Sequence, residues 1–212
     1  GVINKNAQGM PGSYPLHGSK MPGVGPRAKT TVTGTASKVF VLAAADVEIC
    51  FMSVLAITAQ TSIEVLSTGT RAYLHDLSFD MRVAASTSTV GIHLGSDGLT
   101  GPVLDTHIRN CYFIVAAAQG GVIEASGTSQ GALMENITIQ QAYDNVAVWA
   151  NAILFGSGVH LNVCFRDIDI FSGNTMASSI TDDFDLATST GDQGIAAYRI
   201  IVPPNSAFNV GA

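Results

Sequence analysis

Charged residues are scarce in this chain: Asp, Glu, Lys and Arg make up 12% of its 212 residues, about half the usual share. That scarcity excludes a polar disordered chain. It also excludes a coiled coil, which needs Glu, Lys and Leu in quantity. No apolar run reaches the roughly 18 residues of a membrane span, so no membrane partner is expected. Gly1–Lys20 contains no apolar stretch of the kind that marks a secretory leader. There are three cysteines, Cys50, Cys111 and Cys164, each in an apolar stretch, and no pair has metal-ligand or redox spacing. They are expected to be small buried hydrophobes of a chain that folds in a reducing cytoplasm. No helical stripe of useful length appears, and no cofactor is expected.

Hydrophobic residues reach 47%, with 22 glycines, which fits one well-filled β domain with or without an arm. Charge is distributed unevenly along the chain. Residues 1–38 carry Lys5, Lys20, Arg27, Lys29 and Lys38 with no Asp or Glu, a net +5. The remainder carries five Arg and all 16 carboxylates, a net −11. Four of the seven prolines also fall in the first 38 residues. Pro and Gly at that density forbid helix, so 1–38 is expected to be an extended basic arm and 39–212 the body. Apolar Val2, Ile3, Met10, Tyr14, Leu16 and Met21 punctuate the arm. A merely solvated tail would not need them, so the arm is expected to order along a neighbouring subunit. Its partner-binding residues are expected to be Lys5, Tyr14, Leu16, Lys20, Met21, Arg27 and Lys29. Five charges without an Arg cluster do not suggest nucleic acid.

The body alternates with period two in Lys38–Leu42, Val47–Phe51 and Ser62–Leu66, as short strands do. A hexapeptide then recurs: Leu74-His75-Asp76-Leu77-Ser78-Phe79, Ile108-Arg109-Asn110-Cys111-Tyr112-Phe113, Met134-Glu135-Asn136-Ile137-Thr138-Ile139 and Phe165-Arg166-Asp167-Ile168-Asp169-Ile170. Tyr198-Arg199-Ile200-Ile201-Val202 reads as a degraded fifth copy. The Asn/Asp positions 76, 110, 136 and 167 are separated by 34, 26 and 31 residues, which predicts one solenoid coil per repeat. Asn and Asp tolerate left-handed φ, so they are expected at bends, where stacked side chains can pass hydrogen bonds between coils. Arg109, Arg166 and Arg199 are expected to share a coil position as an outer ladder.

Ile-Arg-Asn-Cys-Tyr-Phe and Phe-Arg-Asp-Ile-Asp-Ile resemble segments of right-handed, pectate-lyase-like parallel β-helices, common in phage virion proteins and polysaccharide lyases. The resemblance covers roughly residues 62–202. It implies an all-β, right-handed parallel β-helix with an extended N-terminal arm; the alternative architecture is an antiparallel jelly-roll sandwich.

Candidate chemistry is sparse. Asp167 and Asp169, at i and i+2, would share one strand face about 7 Å apart, near the spacing of paired glycosidase carboxylates. Thr181-Asp182-Asp183-Phe184-Asp185 reads as an acidic exposed turn, since it lacks the pattern of a calcium loop. The five histidines never fall at HxH or HxxxH spacing, and no GxSxG or phosphate-cradling Gly loop is present. No enzyme is expected. With the resemblance, these features point to a structural virion protein: a phage capsid decoration (cement) protein on the capsid exterior, assembled in the host cytoplasm. It would be a homotrimer stapling the major capsid protein lattice. The alternative is a phage tail spike that binds a receptor or depolymerises a glycan.

Overall fold

Short strands with one apolar face cannot stand alone, and here every strand finds a partner one repeat away. The computed structural model describes residues 2–3, 15–17, 30–34, 38–56, 61–82, 90–95, 101–115, 122–141, 151–156, 158–171, 182–185, 193–202 and 207–209. Among them there is no helix. The chain opens with β1 (Val2–Ile3), β2 (Pro15–His17) and β3 (Thr30–Gly34). Next come β4 (Lys38–Leu42), β5 (Glu48–Cys50) and β6 (Met52–Ala56), then β7 (Thr61–Val65), β8 (Tyr73–His75) and β9 (Ser78–Met81). The following pass is β10 (Val90–Leu94), β11 (Val103–Leu104) and β12 (His107–Val115). It is repeated by β13 (Ile123–Ala125), β14 (Ser129–Gln130) and β15 (Leu133–Gln141), and by β16 (Asn151–Phe155), β17 (His160–Leu161) and β18 (Cys164–Phe171). β19 (Asp182–Asp185), β20 (Ala196–Ile201) and β21 (Ala207–Asn209) close the chain.

These strands form an eight-stranded, a ten-stranded and a three-stranded sheet. The three passes from β10 to β18 place a strand in every sheet, three complete turns of a parallel β-solenoid. Every strand pairing is parallel, which an antiparallel jelly roll does not allow. Three pieces of residues 1–38 also enter the sheets: β1 pairs with β4, β2 with β5 and β3 with β6.

Stacking puts equivalent side chains on top of one another. In the ten-stranded sheet Ile49, Leu74, Ile108, Met134 and Phe165 form one buried column. Val54, Phe79, Phe113, Ile139 and Ile170 form another. The rings of Phe79 and Phe113 stack with centroids 4.4 Å apart and planes 5° apart. From the eight-stranded sheet Ile63, Ile92, Ile123 and Ile153 face them. Each such side chain stabilises by about 1.5–3 kcal/mol when fully buried, so the interior of the tube holds the coils together. On the three-stranded sheet the interior turns polar: Ser129 Oγ and His160 Nδ1 are 2.8 Å apart, and His160 Nε2 lies 3.2 Å from the Gly156 carbonyl. That carbonyl accepts, so Nε2 carries a proton in this bond and the buried ring is satisfied on both sides.

Candidate functional site

The hexapeptide repeat controls the outer face of the ten-stranded sheet. Its four clear copies align residue for residue: Leu74, Ile108, Met134 and Phe165 lie opposite one another, as do Cys111, Ile137 and Ile168. Between them runs a column of left-handed bends, Asp76 (φ 54°), Asn110 (φ 52°), Asn136 (φ 53°) and Asp167 (φ 57°). Phe51 (φ 55°) precedes this column and Arg199 (φ 50°) ends it. Asn136 Nδ2 donates to Asn110 Oδ1 at 2.8 Å, and Asn110 Nδ2 reaches Asp76 Oδ1 at 3.4 Å, so amides do pass bonds from coil to coil. A second column of bends, at Asp46, Arg71, Asp105, Gly131, Asn162 and Gly194, marks another corner. There Gly194 takes φ 68°, a left-handed conformation that glycine adopts at no steric cost.

Three expectations about the charged residues change. Arg109 and Arg166 do share a position, with Glu135 between them in the column. Glu135 lies 3.4 Å from Arg109 Nε and bonds Arg166 on its other side. Arg199 is not in that ladder: β20 pairs with Tyr198 opposite Arg166, so Arg199 falls one position on, at the bend, where its Nε donates to Asp167. The degraded fifth copy is therefore out of frame by one residue. The left-handed turn at Asp167 also interrupts the period-two alternation on which the Asp167/Asp169 geometry rested. Asp167 is engaged by Arg199, while Asp169 Oδ1 is buried without a hydrogen-bond partner. Asp182–Asp185 is not a turn: it is β19, paired with β16 and β21.

Most of the outer charges pair across or within coils. Arg71 binds Asp46 through two nitrogens at 2.6 and 2.9 Å, and Arg82 likewise holds Asp80 at 2.9 and 2.7 Å. The Arg82 guanidinium keeps the Asp80 carboxyl below its usual range against the opposing effect of burial. On the eight-stranded sheet Lys38 Nζ lies 2.7 Å from the buried Glu64, and His93 Nδ1 lies 3.6 Å from it. The next member of that column, Glu124, has its pKa raised by burial, with His93 pulling it the other way.

Two surface features remain. Thr31, Ser53, Ser78, Asp80, Tyr112 and Ile114 help line an open groove of about 350 Å³ along the outer face. At the far end of the ten-stranded sheet, β20 has no further strand beside it among the described residues. Here Tyr198 is 60% exposed, Ile201 47% and Phe171 45%. Ala197, which continues the buried column of Phe165, is exposed as well. Tyr198, Ile201 and Phe171 continue the outward-facing columns of Arg166, Asp169 and Gln140, so this end carries apolar side chains where the preceding coil carries polar ones.

Of the residues expected to bind a partner, Lys5, Tyr14, Lys20, Met21, Arg27 and Lys29 lie outside the described residues. Leu16 lies on β2, its backbone opposite Ile49. Among the described residues no helix is long and apolar enough to cross a membrane. The chain matches no protein-family model, and neither a curated protein nor a solved structure is significantly similar to it.

Proposed function

We propose that this chain is a structural virion protein, a decoration protein that binds the outside of a phage capsid and staples its major capsid protein lattice. The observation that carries the reading is the apolar end of the ten-stranded sheet. Phe171, Tyr198 and Ile201 stand exposed there, while Arg166 and Arg199 pair with Glu135 and Asp167. A tube whose arginines are paired and whose last coil is apolar outside suits permanent packing against other chains, because exposed apolar patches mark interaction surfaces. The bodies would associate as homotrimers at local three-fold axes. The basic residues Lys5, Lys20, Arg27 and Lys29 would add salt-sensitive attraction to an acidic shell, and many copies would multiply a weak contact.

The test is to mix the full chain with emptied and filled capsids of its source phage. Bound copies per particle are then counted by quantitative mass spectrometry. A simple stoichiometric ratio to the major capsid protein, lost on reversing the charges of Lys5, Lys20, Arg27 and Lys29, supports the reading. No binding to either particle overturns it. A second reading, a glycan-binding tail spike, is favoured by the groove, where Tyr112 offers a ring face beside the hydroxyls of Ser53 and Ser78. In that case Tyr112→Ala would abolish retention on the host's surface polysaccharide while leaving the fold intact.

A further inference from the structure

The first turns of the ten-stranded sheet bring together three side chains that no motif joins in sequence. β5 carries Glu48 and Cys50, and β8 lies beside it with His75 opposite Cys50. His75 Nε2 is 2.7 Å from Glu48 Oε1, and one donor atom from each of Glu48, Cys50 and His75 lies within 4.8 Å of the other two. The imidazole is held on every side. Its Nδ1 bonds Asp76 Oδ2 at 2.7 Å, which turns Nε2 toward Glu48 and Cys50. Tyr73 stacks on the ring at 4.3 Å, and Phe51 meets it edge-on at 5.6 Å. Cys50 is wholly buried and His75 is 12% exposed, so the cluster is sheltered from bulk water on the thiol side and open toward Glu48.

We propose that Glu48, Cys50 and His75 form a binding site for a thiolate-preferring divalent cation of the zinc type. The register places Cys50 directly opposite His75, with Glu48 two residues before Cys50 on the same strand. Parallel neighbours are about 4.8 Å apart, which suits ligands on adjacent strands converging on one ion. Zinc bonds of about 2.0–2.3 Å place tetrahedral donors about 3.3–3.7 Å apart, so side-chain adjustments of about 1 Å complete the site. A sulfur, imidazole and carboxylate set selects zinc, or cobalt in its place, over calcium and magnesium, which require oxygen ligands. The Asp76–His75 bond is the outer carboxylate contact that fixes a metal-binding histidine. Binding releases to solvent the Cys50 thiol proton and the proton shared between His75 Nε2 and Glu48; the sulfur, the ring nitrogen and the carboxylate then bond the metal, and no redox change occurs.

The experiment titrates Co²⁺ into the chelator-treated full chain and follows the thiolate-to-cobalt charge-transfer band in the near ultraviolet. One equivalent should produce the band and Zn²⁺ should abolish it. Cys50→Ser should lose it, whereas Cys111→Ser and Cys164→Ser keep it. Asp76→Asn, tolerated at a left-handed bend, should weaken Zn²⁺ binding by about 10–100-fold with an unchanged circular dichroism spectrum. If Cys50→Ser does not fold, Cys50→Ala and alkylation protection of Cys50 by Zn²⁺ give the same reading. No band in the parent chain, or a band that survives loss of Cys50, overturns the site.

Discussion

Asn136 separates two accounts of the repeat, because they give opposite signs for one substitution. If the hexapeptide were plain strand, Asn136→Val would be neutral or favourable, since β-branched residues suit strands and Asn does not. The structure places Asn136 at φ 53° with an exposed side chain, its Nδ2 donating to Asn110 Oδ1 at 2.8 Å. Valine in that conformation costs about 1–3 kcal/mol in backbone strain. Loss of the exposed amide bond adds about 0.5–1 kcal/mol, for a total of about 1.5–4 kcal/mol. No packing is removed, so the backbone term dominates. Asn136→Gly relieves the strain but loses the bond and stiffness in the unfolded chain, and should cost about 1 kcal/mol. Thr138→Val is the internal control, two residues on in extended backbone between Tyr112 and Asp169, and should stay within about 0.5 kcal/mol of the parent. Urea unfolding followed by circular dichroism gives the three midpoints. A valine variant at position 136 as stable as the parent, or less damaging than the glycine variant, refutes the left-handed ladder.

Phe113→Ala removes a ring stacked on Phe79 in the closed interior and should cost about 3–5 kcal/mol by denaturant unfolding; a loss under about 1 kcal/mol would mean the coils close over the cavity. Asp80 titrates below its ordinary value because of Arg82, so its contribution is present above the unfolded pKa and lost as pH falls through the folded one. Arg82→Gln should therefore lower stability at neutral pH and flatten the acid limb, with the two curves merging at low pH; parallel curves would refute the pairing. In metal-free protein Cys164, the half-buried thiol, should react first with a disulfide reagent, while Cys111 and Cys50 wait for unfolding. Cys50 is held back twice, by burial and by Glu48 and Asp76, which with burial push its pKa up to about 11; fast labelling of Cys50 in the folded chain would contradict this placement.

The solenoid was legible because its bends are chemically marked. Asp76, Asn110, Asn136 and Asp167 are residues that accept left-handed φ, and each sits in the same apolar frame, so the pairing register can be read by aligning the copies. Where the mark is missing, reading along the chain goes astray. Phe51 and Arg199 occupy the same left-handed column without an amide or carboxylate; Arg199 is held there by Asp167 one coil back. Its neighbours Tyr198 and Ile200 fit two frames equally well, and the wrong one put Arg199 beside Arg166. The second corner went unread for another reason: five of its six residues, Asp46, Asp105, Gly131, Asn162 and Gly194, also accept left-handed φ, but their flanking residues do not repeat one recognisable frame.

The metal cluster escaped for a different reason, inherent to the fold. Motifs for metal sites look for ligands two to four residues apart, as on a helix or a tight loop. A parallel solenoid converts a separation of one coil into a separation of one strand spacing. Cys50 and His75 are thus register neighbours although 25 residues apart in sequence. Once the four clear copies fix the register of β8, the strand before it can be aligned by its own alternation, Glu48-Ile49-Cys50 against Tyr73-Leu74-His75. In a chain of this class, then, ligands are found by reading down the columns of the repeat rather than along the sequence, and the bend residues supply the alignment that makes those columns readable.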